Sequence, residues 1–322
     1  MKALTVIGVC ALFAAACTQA APDLPETVAS MAEESAEMKD AKDAPALLTW
    51  TDLLSRDRPN PTTSLKLGDA ETEIVDLWLP ETAGPHPVVL MVHGGCWQKS
   101  IADRTLMNYA AEDLRQRGLA VWNIEYRGVD EPGGGYPGTY LDVAKAADSL
   151  RDHAEQYDLD LARVAGLGHS AGGHLVTWLA TRPALPEESP LASDQPLEMI
   201  GVINSGGLAD LEASIDVTQF ECLGAIVDDL TGAPSETRPN VFADTSPAEL
   251  LPVPIEFVSV SGAMDGISPP SLAEDISAKD QSAGGSGRAM IVAGNNHVDL
   301  VAPGTAAWEA QAKVLQDMLA PR

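Results

Sequence analysis

From about residue 64 onward, short apolar runs alternate with stretches of helical spacing. Glu73–Leu79 (EIVDLWL) alternates apolar and polar residues, the period of a half-exposed strand. Pro87–Val92 (PVVLMV) is a continuous apolar run, which suits a parallel strand buried on both faces. Leu119–Ile124, Arg163–Leu167, Met199–Ile203, Ile255–Val260 and Ala289–Val292 read as further strands. Between them, Asn108–Arg117 (closed by Gly118), Tyr140–Tyr157, a segment beginning at His174–Thr181, and Ala306–Leu319 carry helical periodicity. This alternation predicts an α/β architecture, a mostly parallel central sheet with helices on both faces.

Two stretches break the rhythm. Pro183–Pro196 is rich in Pro, Glu and Ser and reads as a surface loop. Leu208–Leu251 is long, acidic and irregular. It follows a strand whose carboxyl end would face a site in such a sheet, so a cap is expected at about 208–251.

The first 17 residues, MKALTVIGVCALFAAAC, hold one Lys, an apolar stretch and then small residues. That is the layout of a signal peptide, and the stretch is too short for a stable membrane span. Residues 18–50 are expected to be a flexible acidic tether, with seven acidic residues between Asp23 and Asp43. The folded body is then expected over 51–322.

Composition narrows the partners. A hydrophobic content of 45% fits a globular body. The net charge of -27 argues against nucleic acid, whose phosphates it would repel. Beyond the N-terminus no apolar run reaches the ~18 residues of a membrane span. Of four cysteines, only Cys96 and Cys222 lie in the body. An oxidising compartment permits a bond between them, and two buried free thiols are the alternative. No His/Cys cluster has zinc spacing, so no metal is expected, and no cofactor.

The chemistry centres on Gly168-His169-Ser170-Ala171-Gly172, a G-x-S-x-G sequence directly between a strand and a helix. In that context Ser170 is thrust up at the strand's end as a nucleophile, and the helix N-terminus favours negative charge beside it. A Ser hydroxyl needs a base. Of the six histidines, His86 and His93 flank an early strand, His153 sits on a helix and His169 lies in the elbow. His174 opens the next helix and is expected to pack. Only His297 follows the last strand, where the order Ser, acid, His places the base. Asp265, in the loop after the strand IEFVSV, is the acid expected to orient it, with Asp210 in reserve. Asp275 and Asp280 read as solvated helix charges. His93-Gly94-Gly95-Cys96-Trp97 follows a buried strand, and its glycines would let backbone N–H groups approach a developing oxyanion. The N–H of Ala171 is the second donor source.

Together these residues resemble the α/β-hydrolase superfamily over about residues 64–320. His93-Gly94-Gly95-Cys96-Trp97, Glu125-Tyr126-Arg127-Gly128 and the run from Gly168 to Leu175 resemble its H-G-G-x-W branch of small carboxylesterases and kynurenine formamidases. Cys96 stands where the formamidases usually carry Tyr. The resemblance implies an α/β-hydrolase fold with Ser170, Asp265 and His297 as triad. It implies Gly95, Cys96 and Ala171 as oxyanion-hole donors, with Gly94 shaping the loop. Carboxylesterase action on a small-molecule ester is the first expectation. An arylformamidase is the second, and an inactive binding protein on the same scaffold is the reading from another class. Separately, Ala14-Ala15-Ala16-Cys17 resembles a bacterial lipoprotein box, which implies lipidation at Cys17. Thr18 follows in place of Asp, which in a Gram-negative cell implies the outer membrane. Plain cleavage near Ala20 or Ala21 is the alternative. Both imply export, to the periplasm, the outer membrane or the medium, with membrane contact only through the lipid.

Overall fold

The structure, a computed structural model, describes residues 47–218 and 222–321. The leader with Cys17, and the expected tether as far as residue 46, lie outside the described residues.

Eight strands form one sheet in the order β1-β2-β4-β3-β5-β6-β7-β8. They are β1 (Thr63–Lys66), β2 (Ile74–Trp78), β3 (His86–Val92), β4 (Ala120–Ile124), β5 (Leu159–His169), β6 (Gly201–Ser205), β7 (Glu256–Gly262) and β8 (Arg288–Val292). The two leading strands pair antiparallel, β1 with β2 and β2 with β4. From β4 to β8 every pairing is parallel. The apolar run of β3 explains its central place. Val88, Leu90 and Val92 enter the core on one face, and Val89 and Met91 the core on the other. A strand with polar residues on one face could not be buried on both sides.

The nine α-helices among the described residues are α1 (Trp50–Leu54), α2 (Asn108–Gln116), α3 (Gly138–Asp148), α4 (Leu150–Ala154), α5 (Ala171–Thr181), α6 (Leu211–Thr218), α7 (Val227–Thr231), α8 (Pro270–Ser282) and α9 (Ala306–Met318). Residues of α3, α5 and α8 pack into one core, and residues of α1, α2 and α9 into the other. The single helix expected over Tyr140–Tyr157 is divided at Ser149, whose hydroxyl donates to the Ala146 carbonyl at 2.8 Å. Such a side-chain bond competes with the helical ladder.

Three expectations need correction. The folded body begins before residue 51, because Leu48 and Trp50 pack against the core and α1 buries Leu53 fully. Asp280 is not a solvated helix charge. It is fully buried, and its two carboxylate oxygens accept from the N–H groups of Val253 and Gly287 at 2.7 Å each. The segment 208–251 is partly helical, and its Thr245 and Asp244 carbonyls accept from His174 and from the Trp178 indole. It packs on α5, and none of its described residues lines the cavity beside Ser170.

Candidate active site

The parallel strands bring the sequence-predicted residues to one edge of the sheet, outside their carboxyl ends, where open α/β sheets bind ligands. Ser170 follows β5 directly and holds φ 55° and ψ -121°. A non-glycine residue in that region costs on the order of 1–3 kcal/mol, so its surroundings must enforce it. They do so by close packing. A Cβ on Gly172 would lie 2.1 Å from the Val92 carbonyl oxygen, and one on Gly168 would lie 2.0 Å from the Gly172 oxygen. The Ser170 N–H also donates to the Ser205 carbonyl of β6 at 2.9 Å. Only small residues on either side of the serine permit this turn.

His297 lies in the loop after β8, and Asp265 in the loop after β7. The His297 Nδ1–H donates to Asp265 Oδ2 at 2.7 Å. The other Asp265 oxygen accepts from the N–H groups of Ile267 and Ser268, at 2.9 and 2.8 Å. Three donors thus fix the carboxylate, and the carboxylate fixes the imidazole. Nε2 is the ring nitrogen not taken by Asp265, and His297 shares a cavity with Ser170. The reserve acid, Asp210, instead pairs with Lys279 and belongs to a different neighbourhood.

The loop after β3 turns through three successive residues of positive φ: Gly95 at 112°, Cys96 at 52° and Trp97 at 54°. The turn is closed by the Gln98 N–H, which donates to the Gly95 carbonyl at 2.9 Å. Gly94 is wedged against the elbow, since a Cβ there would lie 2.7 Å from His169 Nδ1 and 3.0 Å from Ser170 Cβ. His93 secures the loop from behind. Its Nδ1–H donates to the Gly94 carbonyl at 2.7 Å, and its Nε2–H to Glu125 Oε1 at 2.8 Å. Both ring nitrogens face oxygen, so the ring is held from both sides. Burial alone would raise the Glu125 carboxyl. The His93 charge and the Lys99 ammonium, 2.7 Å from Oε2, outweigh it and hold Glu125 well below the usual carboxylate range.

Cys96 and Cys222 form a disulfide, with Cα atoms 5.1 Å apart. The question that composition left open is thereby answered, and the loop after β3 is tied to the segment that follows α6. Trp97 donates its indole N–H to His174 Nδ1 at 3.1 Å, and His174 Nε2–H donates to the Thr245 carbonyl at 2.7 Å. His174 packs, as its position suggested. Burial lowers it to about 4, so the ring is neutral near pH 7.

Two features of the site are absent from the sequence reading. His169 lines the cavity, its ring 4.4 Å from that of His297, and its Nε2–H donates to the His297 carbonyl at 3.1 Å. Burial, with His297 adding to it, keeps His169 neutral. The signal for it was its place in the elbow beside the serine. Trp50 presents its ring edge-on to His169 and His297, at 6.0 and 6.5 Å between centroids. Nothing in the acidic stretch around it marked that residue out.

The cavity measures about 330 Å³, and Gly95, Cys96, Ser170 and His297 lie together along it. The rest of its wall is mostly apolar, with Trp50, Leu54, Ile101, Leu106 and Ile267.

Comparison with known proteins bears on the fold and the family. Solved structures with the same fold include Esterase B from Lactobacillus Rhamnosis (HN001), at a TM-score of 0.67 and 16% identity over 91% of this chain and 94% of that one. Another is a truncated carbohydrate esterase from gut microbiota, at a TM-score of 0.65 and 16% identity over 83% and 99%. In sequence the chain is 28% identical to Esterase LipC of Mycobacterium tuberculosis over 189 residues, 56% of this chain and 45% of LipC. It is 29% identical to the probable isoprenylcysteine alpha-carbonyl methylesterase ICMEL1 of Arabidopsis thaliana over 125 residues, 38% and 25% of the two chains. The chain thus spans less than half the length of these curated relatives. The BD-FAE family model matches residues 75–279. That match runs from β2 into α8 and takes in the loop after β3, the elbow and Asp265, so the chain belongs to the BD-FAE family of α/β-hydrolase esterases.

Proposed function

We propose that this protein is a serine carboxylesterase with Ser170 as nucleophile, His297 as base and Asp265 as its orienting acid. One observation carries the reading: the doubly anchored Asp265 carboxylate accepts from His297 Nδ1 at 2.7 Å, while His297 and Ser170 share one cavity. An inactive scaffold gives no reason to keep that relay in one cavity with a strained serine.

In the first step His297 Nε2 takes the Ser170 proton as Oγ attacks the ester carbonyl. The backbone N–H groups of Gly95, Cys96 and Ala171 hold the oxyanion. Each such donor is worth about 10²–10³ in turnover where it has been removed in other hydrolases. His297 then returns the proton to the leaving alcohol. Water, activated by the same imidazole, releases the acyl group from Ser170. Asp265 stays ionised throughout and stabilises the imidazolium.

The test is hydrolysis of p-nitrophenyl acetate by wild type beside Ser170→Ala, with a fluorophosphonate probe on both. The expected result is turnover and labelling that both vanish in the variant. Labelling that persists in Ser170→Ala would move the nucleophile elsewhere. N-formylkynurenine in the same assay decides between ester and formamide.

The same proposal includes export, on the strength of the leader, with Cys17 as the lipidated residue. The Cys96–Cys222 disulfide fits an oxidising compartment. Cys17→Ser is expected to move the protein from the membrane to the soluble fraction. A wild-type protein that is already soluble would point to plain cleavage near Ala20 or Ala21.

A further inference from the structure

The N-terminal helix α1 sits where the sequence places only the end of a tether. Five residues cannot hold a helix in water unaided, so its contacts explain it. Thr49 caps it by accepting from the Asp52 N–H at 3.2 Å, and the Asp52 carboxylate accepts in return from the Thr49 N–H at 2.9 Å. Leu53 anchors it in the core. The Asn296 side-chain amide, next to His297, donates to the Leu48 carbonyl at 2.8 Å, and Arg56 donates to the Pro303 carbonyl at 3.0 Å. The helix is therefore clamped onto the loop that carries His297. Trp50 and Leu54 from it line the cavity.

The chemistry of that cavity is one-sided. Among the described residues its polar side chains are Ser170, His169 and His297, and none of the residues that line it is Lys, Arg, Asp or Glu. A charged substrate group would enter without a partner. A sugar would lose water from its hydroxyls with few groups to replace it. Both are costly. Leu54 is 45% exposed and Ile101 55% exposed, although both belong to the cavity wall. An apolar group lodged there would cover them, and burial of apolar area is favourable at about 25 cal/mol per Å².

We infer that α1 is a specificity element of the active site, and that Trp50 and Leu54, with Ile101 and Ile267, receive an uncharged apolar group of the ester. This rests on the serine-esterase reading above, because the same cavity must hold the reacting carbonyl. The apolar group is either the acyl chain or the alcohol, and two substrate series separate them. A volume of about 330 Å³ lies at the low end of the ~300–1,000 Å³ of small-molecule sites, which limits the group to modest length.

The experiment uses the full chain as wild type, Trp50→Ala and Leu54→Ala. One series runs from p-nitrophenyl acetate to butyrate, hexanoate and octanoate. The other runs through ethyl, butyl and hexyl acetate. A p-nitrophenyl ester with a carboxylate-bearing acyl chain and an acetylated xyloside complete the panel. For wild type, kcat/KM is expected to climb along one series and then fall. The carboxylate-bearing ester and the xyloside are expected to lie at least tenfold below the best substrate. One methylene in a fitted apolar pocket discriminates by ~10-fold or more. Each variant is accordingly expected to change the longest-to-shortest ratio along that series by about tenfold. Leu54→Ala serves if Trp50→Ala fails to fold, because Leu54 is half exposed and outside the core. The proposal fails if both ratios stay within twofold of wild type in both variants, or if the xyloside or the charged ester is preferred. Fluorophosphonate labelling of Ser170 marks which idea has failed. Flat ratios with Ser170 labelled sink the specificity role alone. Absence of labelling sinks the esterase reading and this inference with it.

Discussion

Cys96 and Cys222 are joined across 126 residues of chain, and Cys96 lines the cavity that also holds Ser170 and His297. The bond does more than staple the fold. Cys96 holds φ 52°, a conformation an L-residue keeps only when its surroundings impose it. The disulfide, together with Trp97 held by His174, supplies that constraint. Cys222→Ser, or reduction of wild type, is therefore expected to lower kcat by about tenfold or more, up to the ~10²–10³ that outright loss of an oxyanion donor costs. KM should change less, since the cavity walls from α1 stay in place. Thermal stability should fall as well, by about 2–4 kcal/mol. A loss of stability with kcat intact would reduce the bond to a structural role.

Asp265 and Asp210 both follow central strands, yet only the first meets His297. Asp265→Asn keeps the shape and removes the charge that selects the imidazole tautomer. Turnover of p-nitrophenyl acetate is expected to fall by about 10²–10⁴. Asp210→Asn breaks an ion pair with Lys279, whose side chain is 54% exposed, and is expected to stay within about twofold. The reverse ranking would reassign the acid.

Glu125 carries the charge of the network behind the oxyanion loop. It accepts from His93 and Lys99, and from the Arg104 N–H at 3.3 Å. Glu125→Gln removes the buried carboxylate that His93 and the Lys99 ammonium share. Breaking one partner of a buried pair costs about 3–5 kcal/mol, and Gln should fall at the low end because it keeps a hydrogen-bonding oxygen. A drop in kcat is expected too, since His93 positions the Gly94 carbonyl. Chemical denaturation and kinetics on the same variant check both. Wild-type stability in that variant would show that the Glu125 charge does not hold this network together.

Much of this site could be read from the chain because its signals are local. The elbow is five consecutive residues between a strand and a helix, and the positions of Asp265 and His297 follow from strand order. The strands of the parallel sheet declare themselves as apolar runs. What escaped depends on distant contacts. The helix around Trp50 exists only because Leu53, Asn296 and Pro303 hold it. Cys96 and Cys222 lie 126 residues apart in sequence, and only the fold shows that they meet. Asp280 sits at helical spacing like any surface acid, and only the fold shows that it accepts from two backbone N–H groups. The short edge strand β1 has no apolar run, since it alternates half-buried and exposed residues against β2.

His174 is expected to contribute to the acid sensitivity of the fold, beside the equally buried His169. It is fully buried, and burial lowers it from 6.5 to about 4. Its neutral tautomer is satisfied on both nitrogens, as Nε2–H donates to Thr245 and Nδ1 accepts from Trp97. A second proton would have to enter at Nδ1, against the indole N–H. The unfolded chain binds that proton near pH 6.5 and the folded chain only near pH 4, so the unfolded state takes up more protons in between. The stability that the neutral ring contributes is full above pH 6.5 and is lost progressively as pH falls toward 4. At pH 5 the loss from this residue is about 2 kcal/mol. Unfolding followed in urea from pH 7.5 to pH 4.5 is expected to show this slope in wild type. His174→Gln, whose amide can still donate to Thr245 and accept from Trp97, should start lower but lose that part of the slope. Parallel slopes for the two proteins would place the acid sensitivity in another group.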